Sequence, residues 1–208
     1  TGSPMREVLN KHLDAIGQSD VLDRLGLADN GYFLLSAHRE ENIDNELNFM
    51  TLMNAVNDIA DQYGMPVIYS THPRSRKFID QRAFVFHPLV RSLEPFGFLD
   101  YNRLQKGARC VLSDSGTLSE ESNMLGFPAV LIRTSTERPE VLDKGSIVLG
   151  GIRPDSMQQA VEMAIAMHDA SEPVATPPDY EDGNVSLKVV RIIQSYTEIV
   201  NRTTWGKR

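Results

Sequence analysis

Short apolar runs alternate with amphipathic segments along most of this chain, and that alternation constrains its fold more than any other feature. Tyr32-Phe33-Leu34-Leu35, Val67-Ile68-Tyr69, Phe84-Val85-Phe86, Val111-Leu112, Ala129-Val130-Leu131-Ile132 and Ile147-Val148-Leu149 read as buried strands. Between them, Asn45 to Tyr63 reads as a helix, with Leu47, Met50, Leu52, Met53, Val56 and Ile59 near helical spacing and Gly64 stopping it. A short helix follows the basic turn at Thr71 to Lys77, Leu99 to Lys106 looks helical, and Met157 to Met167 is amphipathic. Repeated βα units of this length predict an α/β fold, a doubly wound parallel sheet with helices on both faces. Ligands in such sheets bind beyond the carboxyl ends of the strands, so the turns after each strand are where chemistry is expected.

The bulk numbers narrow the class of ligand. A chain of 208 residues suits one α/β domain with a full core, or at most two small ones. With a net charge of −7 there is no global basic field to draw in nucleic acid or an anionic membrane surface. An anionic ligand must therefore be held by local Arg, His and backbone N–H groups. Cys110 is the single cysteine and lies in a strand, which predicts a buried, inert thiol and fits a reducing, cytoplasmic setting. No apolar run approaches the length of a membrane span, and no signal peptide is visible. The chain opens at Thr1-Gly2-Ser3-Pro4 without an initiator Met and is expected to be a piece of a longer polypeptide.

Near the carboxyl end the pattern changes. Ser171 to Gly183 is Pro-rich and acidic and reads as an extended connector. The expected organisation is thus a ligand-binding domain over 1–170, a connector over 171–183, and a helix with its tail over 184–208. In the helix, Val189, Ile192, Ile193, Tyr196 and Val200 form an apolar stripe that needs a partner outside the sheet domain.

Several turns carry candidate chemistry. Ser113-Asp114-Ser115-Gly116-Thr117 ends a strand and opens a helix, offering two hydroxyls, a bare glycine and helix N–H groups to a phosphate. Glu121, about one and a half turns into that helix, is placed to bridge the vicinal hydroxyls of a ribose. The same pattern also serves plain helix capping. After the first strand, Ser36-Ala37-His38-Arg39-Glu40-Glu41-Asn42 places a His-Arg pair where a diphosphate would lie, and His38 can transfer a proton. The bland alternative is a solvated, charged turn. Thr71-His72-Pro73-Arg74-Ser75-Arg76-Lys77 is a second anion-facing turn or simply a basic helix start; its cations in a helix's first turn run against the dipole, which suggests an external anion without requiring one. Tyr101 can stack on a base or pack in the core. Arg138 is a candidate bidentate phosphate clamp at a Pro139 helix start. His12, His87 and His168 lack metal-ligand spacing, there is no Cys/His cluster, and a metal site is not expected. Taken together, the turns are a kit for a nucleoside diphosphate, and for a nucleotide sugar in particular.

Ser36-Ala37-His38-Arg39-Glu40-Glu41-Asn42, Thr71-His72-Pro73, Ser113-Asp114-Ser115-Gly116, Glu120-Glu121 and Thr136-Glu137-Arg138-Pro139-Glu140 resemble, in order and spacing, the non-hydrolysing UDP-N-acetylglucosamine 2-epimerase family. Thr117, the Ser122 to Pro128 stretch and the terminal Val189 to Tyr196 segment look like its UDP-N-acetyl-L-fucosamine synthase branch. The resemblance implies the Rossmann-like carboxyl-terminal half of a glycosyltransferase-B-type fold, with an amino-terminal domain absent. It implies a UDP-sugar substrate, no cofactor, and a homodimeric full-length enzyme in capsule or O-antigen synthesis. The implied chemistry is elimination of UDP to a 2-acetamidoglycal, followed by re-addition with the C2 proton returned to the opposite face. By resemblance, His38 faces the diphosphate and sugar, with Arg39 and His72 beside it. Tyr101 lies on the uracil near the Phe96 backbone. Ser115, Gly116 and Thr117 bind phosphate, Glu121 the ribose and Arg138 the diphosphate. The acids that move the C2 proton belong to the amino-terminal half, so this chain alone is expected to be inactive. A UDP-N-acetylglucosamine 2-epimerase, a non-catalytic UDP-sugar-binding module and a retaining glycosyltransferase are the competing readings.

Overall fold

Residues 1–171 and 174–207 are described by a computed structural model. Glu172 and Pro173 of the expected connector, and Arg208 of the tail, lie outside the described residues. Six strands form one parallel sheet: β1 (Phe33–Ser36), β2 (Val67–Ser70), β3 (Val90–Leu93), β4 (Cys110–Ser113), β5 (Ala129–Leu131) and β6 (Val148–Leu149). Their order is β3-β2-β1-β4-β5-β6. The chain winds outward through β2 and β3, then returns to the middle of the sheet and winds the other way from β4. The switch point of this doubly wound sheet is therefore the crevice between β1 and β4, where a ligand has room between diverging connections.

Successive strand residues face opposite sides, and both sides are buried, as a parallel sheet requires. Phe33, Leu35, Val67, Tyr69, Cys110, Leu112 and Val130 point to one face, under α4 (Glu46–Tyr63) and α9 (Pro154–Asp169). Tyr32, Leu34, Ile68, Val111, Ala129 and Leu131 point to the other, under α2 (Val21–Leu25), α6 (Phe98–Gly107), α7 (Leu118–Leu125) and α8 (Pro139–Asp143). The helix ends follow local chemistry. Asn45 caps α4 by accepting the Asn48 N–H at 3.0 Å, and Gly64 closes it in the left-handed region at φ 60°. Cys110 is fully buried, and burial pushes its thiol up to about 12, in keeping with an inert role.

The fold departs from the sequence reading at three places. The third strand is Val90–Leu93, not Phe84-Val85-Phe86. The latter has the alternation of a strand, with Val85 outward at 80% exposure. Its backbone, however, is tied elsewhere: the Phe84 N–H closes back on the Ile79 carbonyl after Ala83 turns through φ 46°. Asn57 of α4 then takes the Val85 carbonyl and the His87 N–H. The Phe84 and Phe86 rings pack edge-on against each other and against Phe49 and Tyr69. Next, residues 1–31, to which periodicity assigned nothing, contain α1 (Pro4–Gly17) as well as α2. The Ser3-Pro4 start was the available signal, since Ser3 accepts the Met5 N–H as a cap and Pro4 stands in the first turn. Finally, the expected extended connector contains a helical turn, α10 (Pro178–Glu181), which buries Tyr180.

The last helix, α11 (Val185–Thr203), docks only through its start. Val185 is buried, and the Ser186 N–H reaches the Glu7 carboxylate of α1. Leu187, Val190, Ile192, Ile193, Tyr196 and Ile199 remain exposed. Among the described residues this apolar stripe has no packing partner.

Candidate nucleotide-binding crevice

β1 and β4 end level, with Ser36 opposite Ser113, so the turns that leave them face each other across the switch point. Asp114, the first residue of the second turn, is fully buried. Its Oδ2 accepts the N–H of His38 at 2.9 Å, the N–H of Arg39 at 2.9 Å and the Nδ2–H of Asn42 at 3.2 Å. Asn42 also donates to the Ile132 carbonyl at 3.1 Å, which brings in the end of β5. On the far side, the Ala37 carbonyl accepts the hydroxyls of Tyr69 at 2.9 Å and Ser75 at 2.6 Å. Hydrogen bonds to a buried carboxylate are among the stronger ones a fold can use, and these set the path of the His38 turn. Nearby, the buried Arg133 forks onto Glu137 at 2.7 and 2.5 Å, and its guanidinium pulls the Glu137 carboxyl down to about 2.

His38 itself stays open, its side chain 43% exposed, with Nδ1 3.3 Å from Asp114 Oδ1. The His72 ring lies 5.7 Å away, centroid to centroid. His72 caps α5 (Pro73–Gln81), its Nδ1 accepting the Arg74 N–H at 3.1 Å. The neutral ring therefore carries its proton on Nε2. Arg39 leans toward Glu41 at 3.4 Å and Glu137 at 3.8 Å. The external anion suggested for the basic helix start is replaced, at Arg74, by internal partners. Arg74 bonds Asp44 through Nε at 2.8 Å and Glu40 at 2.9 Å, and the pairing lowers the Asp44 carboxyl below its usual range.

The facing wall is the start of α7. The Ser115 N–H bonds Ser113 Oγ at 3.1 Å, and the Ser115 and Thr117 hydroxyls are 3.0 Å apart. Thr117 stands at the cap of α7 without a side-chain cap bond, and the N–H groups of Gly116 and Thr117 have no partner among the described residues. A Cβ placed on Gly116 would meet nothing within 4 Å. Open N–H groups at a helix N-terminus, two hydroxyls and a glycine with empty space in front of it are what an approaching anion needs. Arg138 reaches the same wall, with Nε 3.1 Å from the Gly116 carbonyl and a terminal nitrogen 2.5 Å from Glu120, which in turn takes the Ser3 hydroxyl.

Glu121 points inward on the same helix. Burial pushes its carboxyl above the ordinary range, while the amide of Gln105, at 2.6 Å, and the hydroxyl of Thr117 hold the charged form. Tyr101 sits half-buried below the crevice with its hydroxyl beside Ser36 and Ser113, and Phe96 packs on the same cluster. The ten singled-out residues thus divide into facing groups. His38, Arg39 and His72 line one side; Ser115, Gly116, Thr117, Glu121 and Arg138 the other; Tyr101 and Phe96 lie between α6 and the strand ends. Sequence reasoning assigned no role to Asp114, Asn42 and Glu120, although all three stand inside the quoted motifs, nor to Arg133, Gln105 and Ser3; the Ser3-Pro4 signal marks only a helix start, and nothing local links Ser3 to Glu120. Among the described residues no group of three or more His, Cys, Asp or Glu side chains is arranged to hold a metal, and no helix is long and apolar enough to cross a membrane. A separate cavity of about 380 Å³, lined among others by Phe127, Ile147, Met167 and His168, opens at the opposite, amino-terminal ends of β5 and β6.

The raised Glu121 carboxyl has a measurable consequence. A carboxyl whose folded pKa lies above its unfolded one favours the folded state most when protonated, so its contribution is lost as pH rises from the ordinary value of about 4.3 through the raised one. Glu121→Gln keeps an oxygen for Gln105 and removes that loss. Thermal melts should show the variant more stable than wild type at pH 7.5, with the gap closing toward about pH 4. A uniform loss of stability at every pH would show that the carboxylate is structural.

Comparison with known proteins shows the family of the chain. A family profile described as UDP-N-acetylglucosamine 2-epimerase matches residues 1–194. A UDP-N-acetylglucosamine 2-epimerase of Methanococcus maripaludis is 34% identical over 166 residues, covering 78% of this chain and 44% of that protein. The structure of a UDP-N-acetylglucosamine 2-epimerase from Rickettsia bellii superposes with a TM-score of 0.83 at 36% identity, covering 99% of this chain and 55% of its own. The Methanocaldococcus jannaschii UDP-GlcNAc 2-epimerase, crystallised with UDP-GlcNAc and UDP, superposes with a TM-score of 0.81 at 26% identity over 93% of this chain and 54% of its own. The chain spans about half the length of the relatives it matches. Its α/β sheet is of the glycosyltransferase-B type that these epimerases share, and the chain belongs to the UDP-N-acetylglucosamine 2-epimerase family.

Proposed function

We propose that this chain is the UDP-binding half of a UDP-sugar 2-epimerase. The observation that carries the reading is the meeting of two turns at the β1/β4 switch point: an open imidazole on one side, and N–H groups without a partner among the described residues, paired hydroxyls and Arg138 on the other. Family membership supports uridine diphosphate as the anion. In this reading Ser115, Gly116 and Thr117 take phosphate oxygens, Glu121 the ribose hydroxyls, Arg138 the diphosphate, and Tyr101 with Phe96 the base end. Arg39 and His72 stand next to His38 around the diphosphate.

The reaction is anti elimination across C1–C2 of the sugar. The C2 proton leaves, the C1–oxygen bond breaks, and UDP departs from a 2-acetamidoglycal; UDP then adds back while a proton returns to the opposite face of C2. His38 donates to the departing phosphate oxygen and, when protonated, offsets the charge growing there. A second domain supplies the acids that handle C2, and the exposed stripe of α11 is positioned to pack on it. Residues 1–170 act as the binding domain, 171–183 as the connector and 184–208 as the bridge. Thr117 and the Ser122 to Pro128 stretch favour the UDP-N-acetyl-L-fucosamine branch, in a homodimeric enzyme of the cytoplasm that serves capsule or O-antigen synthesis.

Two measurements test the proposal. Gly116→Ala adds a methyl to empty space, so stability should hold within about 0.5 kcal/mol, while calorimetry should show UDP affinity falling about tenfold or more, equivalent to ~1.4 kcal/mol. Unchanged affinity would remove the phosphate assignment. In deuterium oxide, the UDP-sugar should gain deuterium at C2 with the chain extended by its amino-terminal domain and none with these 208 residues alone. Incorporation by this chain alone would refute the division of labour.

A further inference from the structure

We infer that Asp114 is the positioning residue that sets the tautomer of His38, directing the Nδ1 proton inward and leaving Nε2 to serve the crevice. The inference rests on the role proposed above for His38. Asp114 is 0% exposed, yet only one of its oxygens is used up: Oδ2 accepts the His38 and Arg39 N–H groups and the Asn42 amide. Oδ1 is buried with no aligned donor among the described residues. A group that can supply one is His38 Nδ1, 3.3 Å from that oxygen. An unpartnered buried carboxylate oxygen is costly, so the pair is stable when Nδ1 bears hydrogen and a small ring rotation aligns it.

A structural purpose alone explains Oδ2, because three donors on one oxygen fix the turn. It does not explain a second oxygen left bare opposite an imidazole. With Nδ1–H fixed on Asp114, only Nε2 exchanges protons with a ligand. As UDP leaves, the proton on Nε2 passes to the departing phosphate oxygen, Nδ1 keeps its own, and the ring ends neutral against the carboxylate. On re-addition the same proton returns to Nε2. The buried charge of Asp114 thus balances the imidazolium before transfer without itself taking a proton.

The test reads the tautomer directly. In a histidine-¹⁵N sample of this chain, at a pH where the ring is neutral, long-range proton–nitrogen correlations should show His38 protonated at Nδ1. Asp114→Asn should reverse it. The three donors hold the amide oxygen in the Oδ2 position, the amide NH₂ then faces Nδ1, and the ring proton moves to Nε2. A structural role would not move that signature. A wild-type His38 protonated at Nε2, or the same pattern in both proteins, would overturn the inference; should the variant fail to fold, the wild-type pattern decides alone. UDP calorimetry on the same wild-type sample separates the two readings. An Nδ1–H ring without UDP binding removes the nucleotide site and leaves the pair, whereas UDP binding with an Nε2–H ring does the reverse. In the two-domain enzyme, Asp114→Asn should lower kcat by about 10²-fold or more with KM nearly unchanged.

Discussion

The buried carboxylate of Asp114 is the constraint on which the arrangement of this molecule's crevice depends. A negative charge with no solvent around it is tolerated only where donors surround it, and here the donors come from a turn 75 residues away in the chain. Because β1 and β4 lie side by side, the carboxylate at the end of one is within reach of the N–H groups leaving the other. Through Asn42 it also engages the end of β5. The result is a rigid floor from which His38 emerges at the only part of a doubly wound sheet where connections diverge and leave an opening.

Around that floor, several residues stand where packing or solvation would not put them. Burial holds the Glu121 carboxyl above its ordinary range, and one amide and one hydroxyl offset only part of that cost. Gly116 faces empty space that a larger residue would fill without strain. The start of α7 lacks a side-chain cap although Ser and Thr are both present, because the Ser115 and Thr117 hydroxyls turn toward each other. Each forgoes stability, and their coincidence on one wall is what a binding site leaves in a fold. Arg138 is different: Glu120, itself tied to Ser3 at the start of α1, steadies it in place.

Much of this was legible in the amino-acid order, and the reasons differ by residue. Strands β1, β2, β4 and β5 are continuous apolar runs because both of their faces are covered, and so they are easily found. β3 was lost because Arg91 and Ser92 interrupt it at the sheet edge, where Arg91 reaches out to the Leu25 carbonyl. Phe84 and Phe86 imitated a strand because two rings two residues apart can plug a core from a loop held by Asn57. The turns bearing His38 and Ser115 were visible as motifs, since their chemistry is local. The parts played by Asp114, Asn42 and Gln105 were not, because each acts on a residue from another turn or helix, and which segments become neighbours is decided by strand order. The pairing of Arg74 is hidden for the same reason: its partners Asp44 and Glu40 lie some thirty residues upstream and adjoin it only in the fold.

The central claim is that the β1/β4 switch point of this chain is where a uridine nucleotide sits. Chemical-shift mapping of the ¹⁵N-labelled protein during titration with UDP tests it most directly. The amides of His38, Arg39, Gly116, Thr117 and Glu121 should move together and saturate at one concentration. Shifts confined to the cavity at the amino-terminal ends of β5 and β6, or no saturable shifts at all, would contradict it.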